Sequence, residues 1–211
     1  GAHSLKNYNQ PRRDQRQQVT AAAIAEGIRS VAEGGSLFGF DMTLIADGNT
    51  TVEHNLPLGV FYDDVLQFFS KSKTGYTPTL VVTYGGPAGD PYWRAHTDVW
   101  KHPLLQKHEP SALLTANSAR RVIAPEEDYL GVPVAIGAHG QEAGIAAHWE
   151  LWSFVRGGMT PVEALRAGTI ESARSLGYDQ DIGSLEPGKL ADLVVLDGDP
   201  TKDIRNSDKV A

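Results

Sequence analysis

Polar side chains follow several short apolar segments of this 211-residue chain, and their types suit metal or acid–base chemistry. Lys6, Glu33, His54 and His139 each stand at the C-terminal end of such a segment. Carboxylate oxygens and imidazole nitrogens are ligands that Zn²⁺ and similar borderline ions accept. If these segments are parallel strands, the four side chains converge at one edge of a sheet and form a candidate metal site.

Each of these residues also has a simpler interpretation. A single histidine at a strand end, such as His54, is most often a polar residue that makes one hydrogen bond. Lys6 is most simply a solvated or substrate-binding lysine, since an ammonium group cannot bind a metal. It becomes a ligand only when CO₂ carboxylates the amine and makes it anionic. Position in the sequence does not separate these alternatives.

Other polar residues are weaker candidates. Arg12 and Arg13 follow the first segment, where they either hold a substrate carboxylate bidentately or belong to a solvated helix face. Tyr84 ends the fourth segment and is a candidate contact for a substrate carbonyl or its oxyanion. The irregular spacing of the remaining histidines in the middle of the chain predicts a surface loop, with residues His96, His102 and His108.

Strand patterns alternate with helical patterns along most of the chain. Strands are predicted over 4–8, 28–35, 49–55, 77–86 and 132–140, and helices over 11–27, 63–72, 144–158 and 160–177. Thr160, Pro161 and Glu163 have the spacing of a capping box with proline at the first helical position. Apolar strands separated by helices indicate parallel βαβ units. A tight turn at residues 186–189 predicts a hairpin outside this unit, over 181–200.

Composition excludes several classes of function. The net charge of −7 gives a nucleic-acid role no electrostatic support. No apolar run approaches the roughly 20 residues of a membrane span, so we expect a soluble chain. Cysteine is absent, which excludes disulfides and thiolate ligands. The N-terminus is polar and lacks a signal-peptide core, and the compartment stays open between cytoplasmic and periplasmic or secreted.

Two consecutive blocks resemble a known family. GSLEPGKLADLVVL (183–196) resembles the C-terminal end of the metal-dependent amidohydrolase superfamily, and MTPVEALRAGTIESARSLG (159–177) resembles the last barrel helices of its members. DGNTTVEHNLPL (47–58) and GAHGQEAGIAAHWELW (137–152) are similar to an imidazolonepropionase-like and prolidase-like subgroup. The resemblance covers nearly the whole chain.

The resemblance implies an α/β fold, a partial TIM (β/α)₈ barrel of the metallo-dependent hydrolase type. Residues 1–180 would supply strands four to eight with their helices, and residues 181–211 a C-terminal hairpin and tail of a composite β-domain. It further implies one or two divalent ions, usually zinc, that activate a water to cleave an amide or dipeptide-like C–N bond. The substrate would be a small molecule or dipeptide-like compound.

Individual residues match the family's site with two departures. Lys6 matches the carboxylated lysine of strand four, and His54 matches the metal-binding histidine of strand six. Glu33 stands where the family usually has the strand-five histidine, and glutamate still binds metal. His139 stands at or beside the strand-eight aspartate, so it is a replacement base, a ligand or a donor to other groups. Glu142, the next carboxylate, is a second candidate for the base.

The same comparison predicts missing parts. The family's His-x-His pair and strands one to three have no counterpart in this chain, so we expect a missing barrel half or a homo-oligomer partner. The short join before the strand at 132–140 predicts a deletion or a gap near Tyr129–Leu130. One alternative is a non-catalytic, incomplete barrel that serves as a binding or assembly module. Another is a metal-free α/β enzyme in which His139 acts on a bound anion.

Overall fold

Strands and helices alternate from the N-terminus, as the sequence predicts. The computed structural model describes residues 1–35, 37–58, 61–82, 90–116, 135–140 and 142–211. Its strands are β1 (Ser4–Asn7), β2 (Arg29–Glu33), β3 (Thr51–Glu53) and β4 (Gly75–Thr77). They form a parallel sheet in the order β1-β2-β3-β4, which confirms the predicted βαβ units.

Helices connect the strands and continue beyond them. They are α1 (Arg13–Ala25), α2 (Phe38–Ala46), α3 (Asp63–Ser72), α4 (Asp90–His96), α5 (Pro103–His108), α6 (Ser111–Ala116), α7 (Ala146–Arg156), α8 (Pro161–Arg166) and α9 (Ser172–Leu176). Short turns of 3₁₀ helix cover Val99–Lys101 and Ile204–Asp208, and a π-helical turn at Ala167–Glu171 joins α8 to α9. Within the described ranges, no helix has the length and apolar character needed to cross a bilayer.

The two faces of the sheet differ in burial, since helices cover one of them and the other carries the carboxylates. Ala32, Val52 and Tyr76 are buried on the face that the helices cover. Side chains alternate along a strand, and residues paired across parallel strands share a face. Glu33 pairs with Glu53 in the register, so both carboxylates belong to the opposite face. Burial of the apolar face stabilises the layer and leaves the other face for polar chemistry.

The segment 135–138 lies beside β4, where Ala135 donates its N–H to the Tyr76 carbonyl at 2.9 Å. The strand predicted over 132–140 is not formed in its described residues, 135–140. The predicted fourth strand, 77–86, is misplaced, since β4 ends at Thr77 and the chain turns after it. Pro78 lacks an N–H for a sheet, and Thr79 has a left-handed φ of 51°. Tyr84 and the join at Tyr129–Leu130 lie outside the described residues.

The helix-start prediction at Thr160 is confirmed. The Thr160 hydroxyl accepts the Glu163 N–H at 3.3 Å, and Glu163 Oε2 accepts the Thr160 N–H at 2.7 Å. Gly177 ends the helical segment with a φ of 82°, a conformation that glycine adopts without strain. Helix α2 was not predicted, because apolar residues occupy most of its positions and hide the helical period.

The predicted C-terminal hairpin is only partly correct. The turn exists, with the Lys189 N–H bonded to the Glu186 carbonyl at 3.2 Å. One backbone hydrogen bond joins the predicted arms, from the Leu190 N–H to the Asp181 carbonyl at 2.8 Å. The longer pairing lies elsewhere, where Asp197 donates to the Lys209 carbonyl at 2.8 Å and Ala211 to the Val195 carbonyl at 3.0 Å. A strand needs a neighbouring edge to satisfy its backbone, and residues 190–194 adopt no strand in the described chain.

Helix α7 is tied to the sheet by the side chain of Glu150, which is completely buried. Its carboxyl oxygens accept the backbone N–H groups of Leu80 at 2.8 Å and Val81 at 3.0 Å, and Gly137 donates a further backbone hydrogen bond. Burial raises the pKa of Glu150 to about 8, although the three N–H donors favour the charged form. One carboxyl group thus fixes the loop after β4 and the segment 135–138 on α7.

The pKa of Glu150 predicts how stability depends on pH. Between the ordinary value of 4.5 and about 8, the folded chain holds a proton that the unfolded chain releases. The free energy of unfolding should therefore fall as pH rises through this window, by up to about 1.4 kcal/mol per pH unit. Urea unfolding of the wild type and of Glu150→Gln at pH 5, 6.5 and 8 measures this change in the free energy of unfolding. Parallel pH profiles in the two proteins would contradict the prediction.

Gly34 is predicted to be required where β2 meets β3. A Cβ at this position would lie 2.7 Å from Val52 Cγ1 and 2.8 Å from the Glu53 carbonyl oxygen. We expect Gly34→Ala to lower the free energy of unfolding by about 1–3 kcal/mol, because the backbone must move. The matched control is Gly39→Ala in α2, where a Cβ meets nothing within 4 Å. That variant should be stabilised by about 0.5–1 kcal/mol, and equal effects of both changes would refute the steric argument.

Candidate functional site

Three of the predicted site residues meet at the carboxyl end of the sheet. Glu33 Oε1 lies 2.9 Å from His54 Nε2, and the Lys6 ammonium forms an ion pair with Glu33 Oε2. Lys6 belongs to β1, Glu33 ends β2, and His54 follows β3 directly. Parallel strands end on the same side of a sheet, so the predicted convergence of these three residues is present.

The ring of His54 is oriented by Thr79. His54 Nδ1 lies 2.9 Å from Thr79 Oγ1, and the Thr79 hydroxyl donates to the Pro78 carbonyl at 2.7 Å. With that hydroxyl hydrogen engaged, Thr79 Oγ1 is an acceptor for His54 Nδ1–H, whether the ring is neutral or protonated. Nε2 of a neutral His54 then presents a lone pair to the Glu33 carboxylate. Two acceptor atoms at 2.9 Å need a proton or a cation between them.

Backbone strain is concentrated around this contact. His54, Thr79 and His139 all have left-handed backbone conformations, with φ values of 72°, 51° and 52°. This conformation is uncommon for residues other than glycine, and for a β-branched residue such as Thr79 it is an outlier. Each such residue costs on the order of 1–3 kcal/mol, and strain of this kind clusters at functional sites.

His139 lies beside His54 without bonding to Glu33. The two imidazole rings are 5.2 Å apart between centroids and meet edge to face at 68°. His139 is exposed, whereas the His54 side chain is 17 % exposed. The structure therefore brings His139 to the mouth of the cluster, within reach of a group that binds next to His54.

Glu142, the second candidate base, is paired elsewhere. Its carboxylate lies 2.9 Å from Arg94 Nη2 and is almost fully buried, and its carbonyl accepts the N–H of Ala146 at the start of α7. The described contacts of Glu142 are those of a residue that anchors a helix.

The two arginines bind carboxylates of the chain itself. Arg12 pairs with Asp14 at 2.8 Å and Arg13 with Asp47 at 2.7 Å, on the helical layer. Burial opposes the charge of Asp47, but the hydrogen bonds from Arg13 and Gln17 outweigh it and lower the Asp47 pKa. The structure does not bring these arginines to the Glu33–His54 contact.

Two buried carboxyl groups near the cluster were missed by sequence reasoning. Glu53 accepts a hydrogen bond from the Thr51 hydroxyl at 2.7 Å. Its pKa is raised, because burial outweighs the opposite effects of its hydrogen bonds and of Lys6 and His54. Asp41 is fully buried in the first turn of α2 and accepts the Gly35 N–H at 3.1 Å; burial raises its pKa to about 6. Glu53 precedes His54 in the sequence, so strand alternation was the signal that could have found it.

Metal-binding capacity depends on Lys6. In the residues that the structure describes, histidine, aspartate and glutamate side chains form no group of three or more that could hold a metal ion. Glu33 and His54 supply two donors, and the amine of Lys6 lies beside Glu33. The acceptor–acceptor contact between Glu33 and His54 fits a cation, provided that Lys6 is converted from a cation to an anionic ligand.

Curated proteins with similar sequences are enzymes by name. An imidazolonepropionase of Syntrophobacter fumaroxidans is 39 % identical over 92 residues, which are 40 % of this chain and 21 % of that protein. An ochratoxinase of Aspergillus niger is 36 % identical over 76 residues, which are 36 % of this chain and 16 % of that protein. This chain thus spans well under two thirds of these relatives.

Solved structures share the fold. A Xaa-Pro dipeptidase with bound methionine superposes with a TM-score of 0.65 at 22 % identity, over 94 % of this chain and 46 % of that one. A putative prolidase from Bifidobacterium longum superposes with a TM-score of 0.64 at 22 % identity, over 100 % of this chain and 54 % of that one. The sheet and helices described above therefore correspond to about half of a TIM-type amidohydrolase barrel.

The sequence profile of the Amidohydrolase family matches residues 45–210, which include His54, His139 and the C-terminal segment. This match covers more than half of the chain and extends from β3 to the last turn. The chain belongs to the amidohydrolase family.

Proposed function

We propose that this chain contributes strands four to eight to the active site of a metal-dependent hydrolase that cleaves an amide or dipeptide-like C–N bond. The observation that carries the proposal is the 2.9 Å contact between Glu33 Oε1 and His54 Nε2, which a cation would bridge when His54 is neutral. The names of the relatives, among them an imidazolonepropionase and a Xaa-Pro dipeptidase, support hydrolysis of a small-molecule or dipeptide-like substrate. In this proposal residues 1–180 are the barrel portion and 181–211 belong to a composite β-domain.

Glu33, His54 and carboxylated Lys6 would hold a divalent ion, for which zinc suits the N and O donors best. Carboxylation would release two protons to solvent, one that frees the Lys6 amine from its ammonium form and one lost as the N–C bond to CO₂ forms, so that an anionic oxygen replaces the ammonium beside Glu33. When bound, the metal supplies a polarised scissile carbonyl and a water of lowered pKa. Thr79 keeps His54 Nε2 directed at Glu33 through the hydrogen bond to Nδ1.

We assign the proton-accepting role to His139 in preference to Glu142. His139 is exposed at the mouth of the cluster, and imidazole accepts a proton near neutral pH. Glu142 is held by Arg94, which makes it a residue that positions α7 and, through α7, Glu150. His139 as an additional ligand, Tyr84 as a substrate contact and a second metal ion stay predictions.

The alternative is a non-catalytic barrel that serves as a binding or assembly module. It is favoured by one observation, that the described acidic and histidine side chains form no three-residue metal group. In that case the Lys6 ammonium is the permanent partner of Glu33, and a protonated His54 completes a structural ion-pair network. The two functions differ in whether the chain retains metal.

Metal content is predicted to depend on His54 and on Thr79. Protein prepared without chelator should contain about one equivalent of zinc or a similar ion, and His54→Ala should lose it. Thr79→Val should weaken metal affinity by about 10–100-fold, because the partner that orients His54 is removed. Elemental analysis and competition with a chromophoric chelator measure both quantities.

Two control variants separate a specific effect from unfolding. Thr79→Ser keeps the hydroxyl and should retain metal, and His96→Ala changes a histidine whose ring bonds to Tyr92 and lies outside the cluster. Less than about a tenth of an equivalent in the wild type would favour the non-catalytic alternative over a metal centre.

We also propose that the open parts of the sheet are covered by the remaining barrel half or by a second copy of the chain. The sheet order leaves β1 at one edge, and an apolar segment at 190–195 is exposed. In that segment Leu193 is 59 % exposed and Val194 67 %. Apolar patches that lie together on a surface mark interaction sites.

The 211-residue chain alone is therefore predicted to self-associate. Light scattering should give a mass above the 22.8 kDa monomer that rises with concentration. Leu193→Asp should shift the chain toward monomer, whereas Leu176→Asp, at a residue of similar exposure on α9, should not. A monomer at every concentration, or equal effects of the two changes, would argue against this interface.

A further inference from the structure

A second polar site lies on the helical side of the molecule. A groove of about 390 Å³ is formed by residues 96–102, the start of α7 and the 3₁₀ turn Ile204–Asp208. None of its lining residues belongs to the Lys6–Glu33–His54 cluster. Its volume lies at the lower end of the range of small-molecule sites, roughly 300–1,000 Å³.

The groove is cationic although the chain is acidic. Lys101, Arg205 and Lys209 line it together with Asp98 and Asp208, in a chain whose net charge is −7. Lys101 is already paired with Asp98 at 3.0 Å. The local excess of positive charge favours an anionic ligand.

Arg205 is held by two indole rings, with the carboxylates of Asp203 and Asp208 close enough to attract its charge. Its guanidinium lies 4.8 Å from the ring centroid of Trp93 and 4.5 Å from that of Trp152, and both indoles are buried. The Arg205 backbone N–H donates to Asp203 Oδ1 at 2.9 Å, which fixes the start of the 3₁₀ turn. In the described part of the chain its guanidinium makes no hydrogen bond or ion pair. Ring stacking therefore orients the group and leaves its N–H donors available.

The walls of the groove determine what kind of anion fits. Val99, Ile145 and Trp152 line it and are apolar. A planar guanidinium matches a carboxylate with two parallel N–H···O bonds, and apolar walls favour a carboxylate that carries an apolar body. His102 also lines the groove, and its Nδ1 is buried without a hydrogen-bond partner.

We propose that this groove binds a small organic carboxylate. Arg205 binds the carboxylate group, and the apolar body of the ligand packs against Val99, Ile145 and Trp152. The site is independent of the proposed hydrolytic centre, since the two share no residue. Its ligand is an aryl or alkyl monocarboxylate rather than a phosphate. The planar guanidinium of Arg205 matches a planar carboxylate, and the apolar walls match an aryl or alkyl group.

Benzoate and its neutral analogue benzamide test the proposal on the 211-residue chain at constant ionic strength. Trp93 and Trp152 flank Arg205, so benzoate should change tryptophan fluorescence with a saturable dependence on concentration. In ¹⁵N-labelled protein the indole N–H signal of Trp152 should shift, while that of Trp149, which is fully buried and absent from the groove lining, should stay. Benzamide should produce neither response.

Substitutions identify the group that binds the anion. Arg205→Gln should weaken benzoate binding at least about tenfold, because a charge-assisted bidentate contact is lost. Arg205→Lys keeps the positive charge but loses the planar guanidinium. Its affinity for benzoate should lie between those of Arg205→Gln and the wild type. The matched control is Arg174→Gln, an arginine of α9 paired with Glu171 at 2.6 Å, which should bind benzoate like the wild type.

Several outcomes would overturn the assignment. They are equal binding of benzoate and benzamide, wild-type benzoate affinity in Arg205→Gln, and binding of inorganic phosphate without benzoate. If Arg205→Gln does not unfold cooperatively, the variant is not properly folded, and the indole N–H signals of the wild type alone test the proposal. In that case a Trp152 signal that benzoate leaves unmoved refutes the proposal.

Discussion

The buried carboxyl group of Glu150 is the interaction on which the arrangement of the site depends. It holds the backbone of Leu80, Val81 and Gly137 on α7 with three hydrogen bonds. Thr79 directly precedes Leu80, has a left-handed backbone conformation and orients the ring of His54. A strained conformation persists only where surrounding contacts determine it, and Glu150 supplies those contacts. Helix packing is thereby connected to the geometry of the Glu33–His54 pair.

The parallel sheet explains why much of the site could be predicted from sequence. Apolar strands that end in polar residues must, when parallel, present those residues at one edge. Lys6, Glu33 and His54 follow this rule because their strands pair in sequence order with little shift in register. The capping box at Thr160 was equally predictable, since it depends only on residues three apart.

Other features depend on contacts that no local pattern encodes. The pairing of Glu142 with Arg94 joins residues 48 positions apart, and the hydrogen bonds of Glu150 to the loop after β4 span about 70. The fourth strand was misplaced because the apolar residues after Pro78 resemble a strand, although proline and the left-handed Thr79 end it at Thr77. The hairpin was only partly correct because its arms share a single backbone hydrogen bond, from Leu190 to Asp181, whereas residues 195–197 pair with 209–211.

The charge balance around Glu33 connects the two proposed functions of the sheet edge. With Lys6 as an ammonium and His54 protonated, the carboxylate is neutralised by the chain's own side chains. Metal binding requires both changes together, since His54 must release its Nε2 proton and Lys6 must lose its positive charge. Carboxylation of Lys6 achieves the second change and adds an oxygen donor in the same step. The proposed function and its alternative therefore use the same residues, and they differ in the charge of Lys6 and in the Nε2 proton of His54.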